Sequence, residues 1–211
     1  MKRNLALIAS LFGGLTLAVN AAVIDFEADA GGGKANGFSP VGHPLVTFTD
    51  TVGTGLSMYS GVEALGQSLL VFTDSDASKL RINFGAPMGF LSLMFGNDDA
   101  GFTIASDRAW LELFNGGTSV GLFSMAMNRN DLMDQTIIGS AASFDRAEFW
   151  YGNAAGAPTT GGQGAATGLT EVVDQIDYRA ATGTVPDAGS TLGLSMIALL
   201  GLVAARRKIL S

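Results

Sequence analysis

Two uncharged apolar segments stand near opposite ends of the 211-residue chain, and they decide how everything between them can be read. Leu5 to Val19 follows the basic start Met1-Lys2-Arg3, and Thr191 to Ala205 precedes the cluster Arg206-Arg207-Lys208. Each is shorter than the ~20 residues a helix needs to cross a bilayer comfortably. They also inflate the hydrophobic content, which is 47% over the whole chain. Between them lie about 160 residues, enough for one domain with a core.

The first segment has the layout of a secretory signal peptide: a basic start, an apolar stretch and a small-residue cleavage sequence, Val19-Asn20-Ala21. We expect a signal peptide over 1–21, with cleavage after Ala21 or Ala22. Signal peptidase and the secretion machinery are then the first partners.

The second segment is preceded by Val185-Pro186-Asp187-Ala188-Gly189-Ser190-Thr191. As a helix, residues 191–205 would extend about 22 Å, short of the ~30 Å hydrocarbon core, so flanking residues and local thinning would have to help. The basic cluster should stay in the cytoplasm and leave the domain outside. Motif, apolar helix and basic cluster, in that order, resemble the PEP-CTERM class of exosortase sorting signals. The resemblance is to the variant that reads Val-Pro-Asp and continues Gly-Ser-Thr. Asp187 takes the acidic place, and Ala188 stands where that variant often has Ser. The resemblance covers 185–211 and assigns the sorting motif to Val185, Pro186, Asp187, Gly189, Ser190, Thr191, Arg206, Arg207 and Lys208. It implies processing by a membrane exosortase, a transient stay in the inner membrane of a Gram-negative-type bacterium, and a secreted or cell-surface destination. Such proteins are typical of bacteria that build exopolysaccharide and biofilm matrix. An ordinary tail anchor is the alternative, but it would not require Pro186 and Gly189.

The middle, 22–184, holds seven Lys and Arg against eighteen Asp and Glu, a net of −11. Nucleic-acid binding needs cations to neutralise phosphates, so this balance argues against it. Acidity suits solubility and divalent cations instead. The chain has no cysteine, which excludes disulfides and thiolate chemistry. Its single histidine, His43, cannot build a catalytic triad or a multi-histidine zinc site by itself and is expected in a loop. Gly31-Gly32-Gly33-Lys34 lacks the spacing of a nucleotide-binding loop.

Short β-branched and aromatic runs recur between turn-forming residues. We expect strands at 23–27, 45–49, 56–59, 68–73, 79–84, 90–95, 109–115, 120–127, 144–151 and 172–178. Alternation in Leu80-Arg81-Ile82-Asn83-Phe84 sends Arg81 and Asn83 outward. Asn97 to Gly101 and Asn115-Gly116-Gly117 read as hairpin loops. Residues 152–168 read as a long loop, 130–135 as a brief helical stretch, and 179–184 as a linker. The pattern predicts an all-β, antiparallel β-sandwich over 22–178. The opening Ile24-Asp25-Phe26-Glu27, the central Tyr59-Ser60-Gly61-Val62 and the closing Val173-Asp174-Gln175-Ile176-Asp177-Tyr178 resemble the jelly-roll sandwiches found beside such tails. In those the last strand pairs near the first. Related jelly rolls bind carbohydrate, and many hold a structural calcium.

Calcium takes six to eight oxygen ligands. Asp25 and Glu27 with Asp174 and Asp177 are the first candidates, followed by Asp74/Asp76 and Asp98/Asp99. Tyr151, beside Gly152, is the aromatic expected to be exposed for stacking on a sugar. Glycoside hydrolysis needs two carboxyls about 5–10 Å apart, and no pair is singled out by the sequence. The leading expectation is thus a non-catalytic surface or matrix protein with affinity for exopolysaccharide. The alternative is an exported glycan-active hydrolase.

Overall fold

The structure, a computed structural model, describes residues 21–53, 55–61, 65–71, 77–98, 100–157 and 169–182. The predicted signal segment up to Asn20, the sorting motif, the apolar tail, Asp74, Asp76 and Asp99 lie outside the described residues. Among the described residues there are ten strands: β1 (Ala22–Ile24), β2 (Gly32–Lys34), β3 (Val46–Asp50), β4 (Leu56–Tyr59), β5 (Ser68–Val71), β6 (Leu80–Gly96), β7 (Arg108–Asn115), β8 (Thr118–Ala126), β9 (Gln135–Gly152) and β10 (Val172–Ala180). None of the described residues is helical, and no helix there is long and apolar enough to cross a membrane.

Every pairing is antiparallel. The ladder runs β2-β4-β5-β10-β6-β9-β7-β8, with β1 added to β10 and β3 to β6. The fold is all-β, and two long strands, β6 and β9, make it a sandwich. The first part of β6 pairs with β3 and the second with β10. Between Asn83 and Met88 the register jumps, so Phe84 to Pro87 face the single step from Arg146 to Phe144 on β9. Such a bulge bends a strand sharply, and Pro87, which has no N–H to give a ladder, suits it. The sheet folds over at this corner. Phe95 on the far end of β6 meets Phe149 on the far end of β9 at 5.6 Å between ring centroids.

The core follows from alternation. Leu80, Ile82, Phe84, Leu91, Leu93 and Phe95 of β6 point inward, as do Leu111 and Leu113 of β7 and Ala147 and Phe149 of β9. Each large apolar side chain removed from water contributes roughly 1.5–3 kcal/mol. Arg81 and Asn83 point outward, as the alternation predicts.

Several expectations need correcting. The runs 79–84 and 90–95 are one strand, because the bulge carries the ladder through Gly85 to Gly89. β9 starts nine residues earlier than the aromatic run suggested. The first strand stops at Ile24 because Phe26 takes a positive φ of 56°. The hairpin expected at 97–101 is not formed, since β6 and β7 do not pair. Residues 130–135 are not helical. Asp98 accepts from the amides of Arg129 (2.7 Å) and Asp131 (3.0 Å), and both residues adopt positive φ. That side-chain cap replaces the helical hydrogen bonds. The 115–117 turn does form the β7–β8 hairpin, with Gly116 and Gly117 both at positive φ.

Candidate functional site

Two places gather side chains that the core does not explain. The first is the outward face of the half-sheet β3-β6-β9-β7-β8. Trp110 on β7 and Trp150 on β9 are directly opposite in the ladder, and their rings stack at 6.2 Å and 11°. Trp110 Nε1 donates to Asn153 O (3.1 Å), and Trp150 Nε1 donates to Gly156 O (3.1 Å). The loop after β9 therefore holds both indoles from above, while Trp110 stays partly exposed. Lys79 Nζ sits 3.9 Å from the centroid of Trp150, a cation–π contact.

Glu148, two residues back along β9 on the same face, is 6% exposed. Its oxygens meet Lys79 Nζ at 3.3 Å, Arg81 at 2.9 Å and Arg146 Nε at 3.8 Å. Glu112 lies directly across the ladder from Glu148, which puts their Cβ atoms about 5 Å apart. Arg146 stacks over Phe114 at 4.0 Å, and Arg108 Nε donates to Ser124 Oγ at 2.9 Å. The face thus combines a partly exposed indole with guanidinium, ammonium and carboxylate groups on one rigid surface.

Tyr151 does not belong to it. It is 3% exposed and packs between Phe95 (6.1 Å) and Phe149 (5.4 Å), with its hydroxyl donating to Gly96 O. Burial raises its pKa well above the ordinary value. Strand alternation explains the error: Phe149 and Tyr151 share the inner face, and Trp150 takes the outer one.

The second place is the junction of the first and last strands. β1 pairs with the end of β10 through Ala22↔Tyr178, Val23↔Asp177 and Ile24↔Ile176. Asp174 is fully buried, and its pKa is raised to about 7, first by burial and then by the charges of Glu27 and Asp25. The Gln175 amide, donating to Oδ1 at 2.7 Å, and the nearby Ser68 hydroxyl offset part of this. Asp174 Oδ2 and Ser68 Oγ still have no partner in hydrogen-bond geometry. Phe26 and Gln175, at positive φ of 56° and 45°, turn the backbone beside these acids. Asp177 is set apart, its Oδ2 bonded to Arg179 at 2.6 Å. Glu27 is partly engaged, accepting from Gln67 N at 3.0 Å. Among the described residues, no three acidic or histidine side chains converge closely enough to hold a metal as they stand. Asp98, the described half of another acidic pair, is spent on capping the 129–131 backbone. His43 is in a loop, its Nδ1 2.9 Å from the Tyr178 hydroxyl.

A groove of about 290 Å³ between β8 and β9 is lined by Phe123, Ser124, Met125, Thr136, Ile137 and Ile138, with no carboxylate among them.

No curated protein matches the chain. Among solved structures, it is similar to an arabinose-bound α-L-arabinofuranosidase at 16% identity and a TM-score of 0.47. That match covers 76% of this chain but only about a quarter of the enzyme (26%). It is also similar to a galactose-bound family 32 carbohydrate-binding module from Clostridium perfringens, at 13% identity and a TM-score of 0.31, over 74% of this chain and all of the module. Another module of that family, from a Clostridium perfringens family 31 glycoside hydrolase, aligns at 10% identity and a TM-score of 0.34, covering 75% of this chain and 94% of the module. At the C-terminus, residues 184–209 match the VPDSG-CTERM motif, a sorting signal that implies exosortase-type processing and a secreted or cell-surface destination.

Proposed function

We propose that this chain is an exported, surface-sorted, non-catalytic protein of the extracellular matrix that binds polysaccharide on the Trp110/Trp150 face. The partly exposed Trp110 indole carries the reading; it is backed by the stacked Trp150, which is only 2% exposed beneath Lys79, and stands among Arg81, Arg146 and Glu148. A sugar ring offers C–H groups to an aromatic face and hydroxyls to charged donors and acceptors at its rim, and this surface supplies both. The sorting motif adds the destination. A glycan array probed with the full chain, with product analysis on every spot that retains it, tests the reading: retention without cleavage is expected.

The second reading, a glycan-active hydrolase, has one specific observation in its favour, the cross-strand carboxylates Glu112 and Glu148. The cage of three cations opposes it, because both Glu148 oxygens are already engaged, so neither is free to attack a sugar carbon or to protonate a leaving group.

The acidic junction would take a structural calcium ion through Asp25, Glu27 and Asp174, with no role for Asp177 in its present pairing with Arg179. The support is the orphaned, fully buried Asp174 Oδ2 beside two further carboxylates. Calcium would supply the positive charge this site lacks and join the two ends of the domain. Calcium added after chelation should raise the melting temperature; an unchanged melting temperature refutes the site.

A further inference from the structure

The two predicted membrane-directed ends leave the sandwich side by side. Ala22 pairs with Tyr178, and the Ala181 amide donates to Pro87 O at the corner of β6. The loop from Pro40 to Leu45 is clamped to the same pole. His43 reaches the Tyr178 hydroxyl, and Leu45 O accepts from the Gly85 amide at 2.7 Å. Of the large apolar side chains exposed among the described residues, Leu45 (67%) and Val41 (60%) stand out furthest, and Val23 on β1 adds a third at 49%.

We propose that Val41, Leu45 and Val23 form an apolar apex that rests in the headgroup region of a lipid bilayer while the chain is held at the membrane. The proposal rests on reading residues 191–205 as a membrane-seated segment. Eight residues, 183–190, separate the last described residue from that segment, a tether of at most about 29 Å. On the other side, the signal segment ends at Val19, three residues before β1, a reach of about 10 Å before cleavage. Both tethers join the domain at the same pole, which limits how far that pole can stand from the bilayer. The domain is strongly acidic and gains nothing from anionic headgroups, so contact has to come from apolar side chains. Pro40 and Pro44 bracket the loop tip and limit the freedom it would lose on docking.

The opposite pole is the natural control. Ile104 is also apolar and 44% exposed, but it belongs to the loop tied to Asp98 and Thr103 beyond the Gly96 end of β6. Tyr151, which bonds Gly96, is seven residues along β9 from Phe144 at the corner, about 23 Å at strand rise.

The chain has no cysteine, so V41C, L45C and I104C variants of the full chain can each carry one environment-sensitive fluorophore. They would be reconstituted into vesicles of phosphatidylethanolamine and phosphatidylglycerol. Labels at 41 and 45 should shift to the blue and be quenched at least twofold more by headgroup-attached nitroxide lipid than the label at 104. Equal quenching at all three positions, in protein that floats with the vesicles, overturns the apex. Protein that does not float overturns the membrane-seated reading of the tail, a separate result from the first. An unchanged melting temperature in each variant confirms that the label reports on the native fold.

Discussion

Ala22 lies directly opposite Tyr178 in the β1–β10 ladder. The first residue after one predicted cleavage position is therefore paired with a residue a few steps before the sorting tail. The domain closes its two described ends on each other, so both lie at a single pole of the sandwich.

The cation cage around Glu148 gives the sharpest stability prediction. Glu148→Gln leaves Lys79, Arg81 and Arg146 crowded without their counter-charge. The loss should be roughly 1–3 kcal/mol, which for a domain of this size lowers the melting temperature by about 2–4 °C per kcal/mol. Thermal unfolding monitored by circular dichroism measures it.

Asp174 predicts a pH dependence of defined sign. Its pKa is about 7 in the folded chain against an ordinary value of 3.8, so between those values the folded state holds a proton that the unfolded state has already released. Without calcium, stability should fall as pH rises from about 4 to 7 and then level off, by at most about 4 kcal/mol. Asp174→Asn should flatten that slope. Calcium should stabilise the parent more at pH 8 than at pH 5, because the ion takes the ionised carboxylate; denaturant melts at both pH values, with and without calcium, check this.

Pro186→Ala with Asp187→Ala tests the sorting motif. The double variant should accumulate in the membrane fraction as the full-length tail-bearing form, while the parent is processed. Immunoblotting of fractionated cells reads the outcome: normal release of the variant would show that Pro186 and Asp187 are not what is recognised, and retention of parent and variant alike would make the tail a plain anchor.

Much of the fold was legible because the chain alternates. Leu80-Arg81-Ile82-Asn83-Phe84 displays a two-residue period that only a half-buried strand needs. The first half of β9 was not legible. Gly139, Ser140, Ala141 and Ala142 carry little side chain of their own, and the space over Gly139 is filled by Phe123 and Leu111 from other strands. β2 is Gly-Gly-Lys and is defined by its pairing with β4 alone. That the charges of Asp25 and Glu27 reach Asp174 follows from the pairing of the chain ends. Asp177 could not be separated from them, because its diversion to Arg179 is a side-chain choice. Tyr151 was misread although the information was present: continuing the alternation from Phe149 places it on the inner face and puts Trp150 on the outer one, where Trp110, Lys79 and the loop after β9 cover it.

The central claim is that the Trp110/Trp150 face binds glycan without cleaving it. The chain contains two tryptophans, and both are on that face, so intrinsic fluorescence reports on it alone. Titrating the full chain, in a non-glycosidic detergent, with the oligosaccharides retained on an array should give a saturable change in tryptophan emission with no new reducing ends. Trp110→Ala should weaken binding at least tenfold. Release of reducing ends by the parent, abolished in Glu112→Gln, or saturable glycan binding that leaves the emission unchanged and survives Trp110→Ala, would contradict the account.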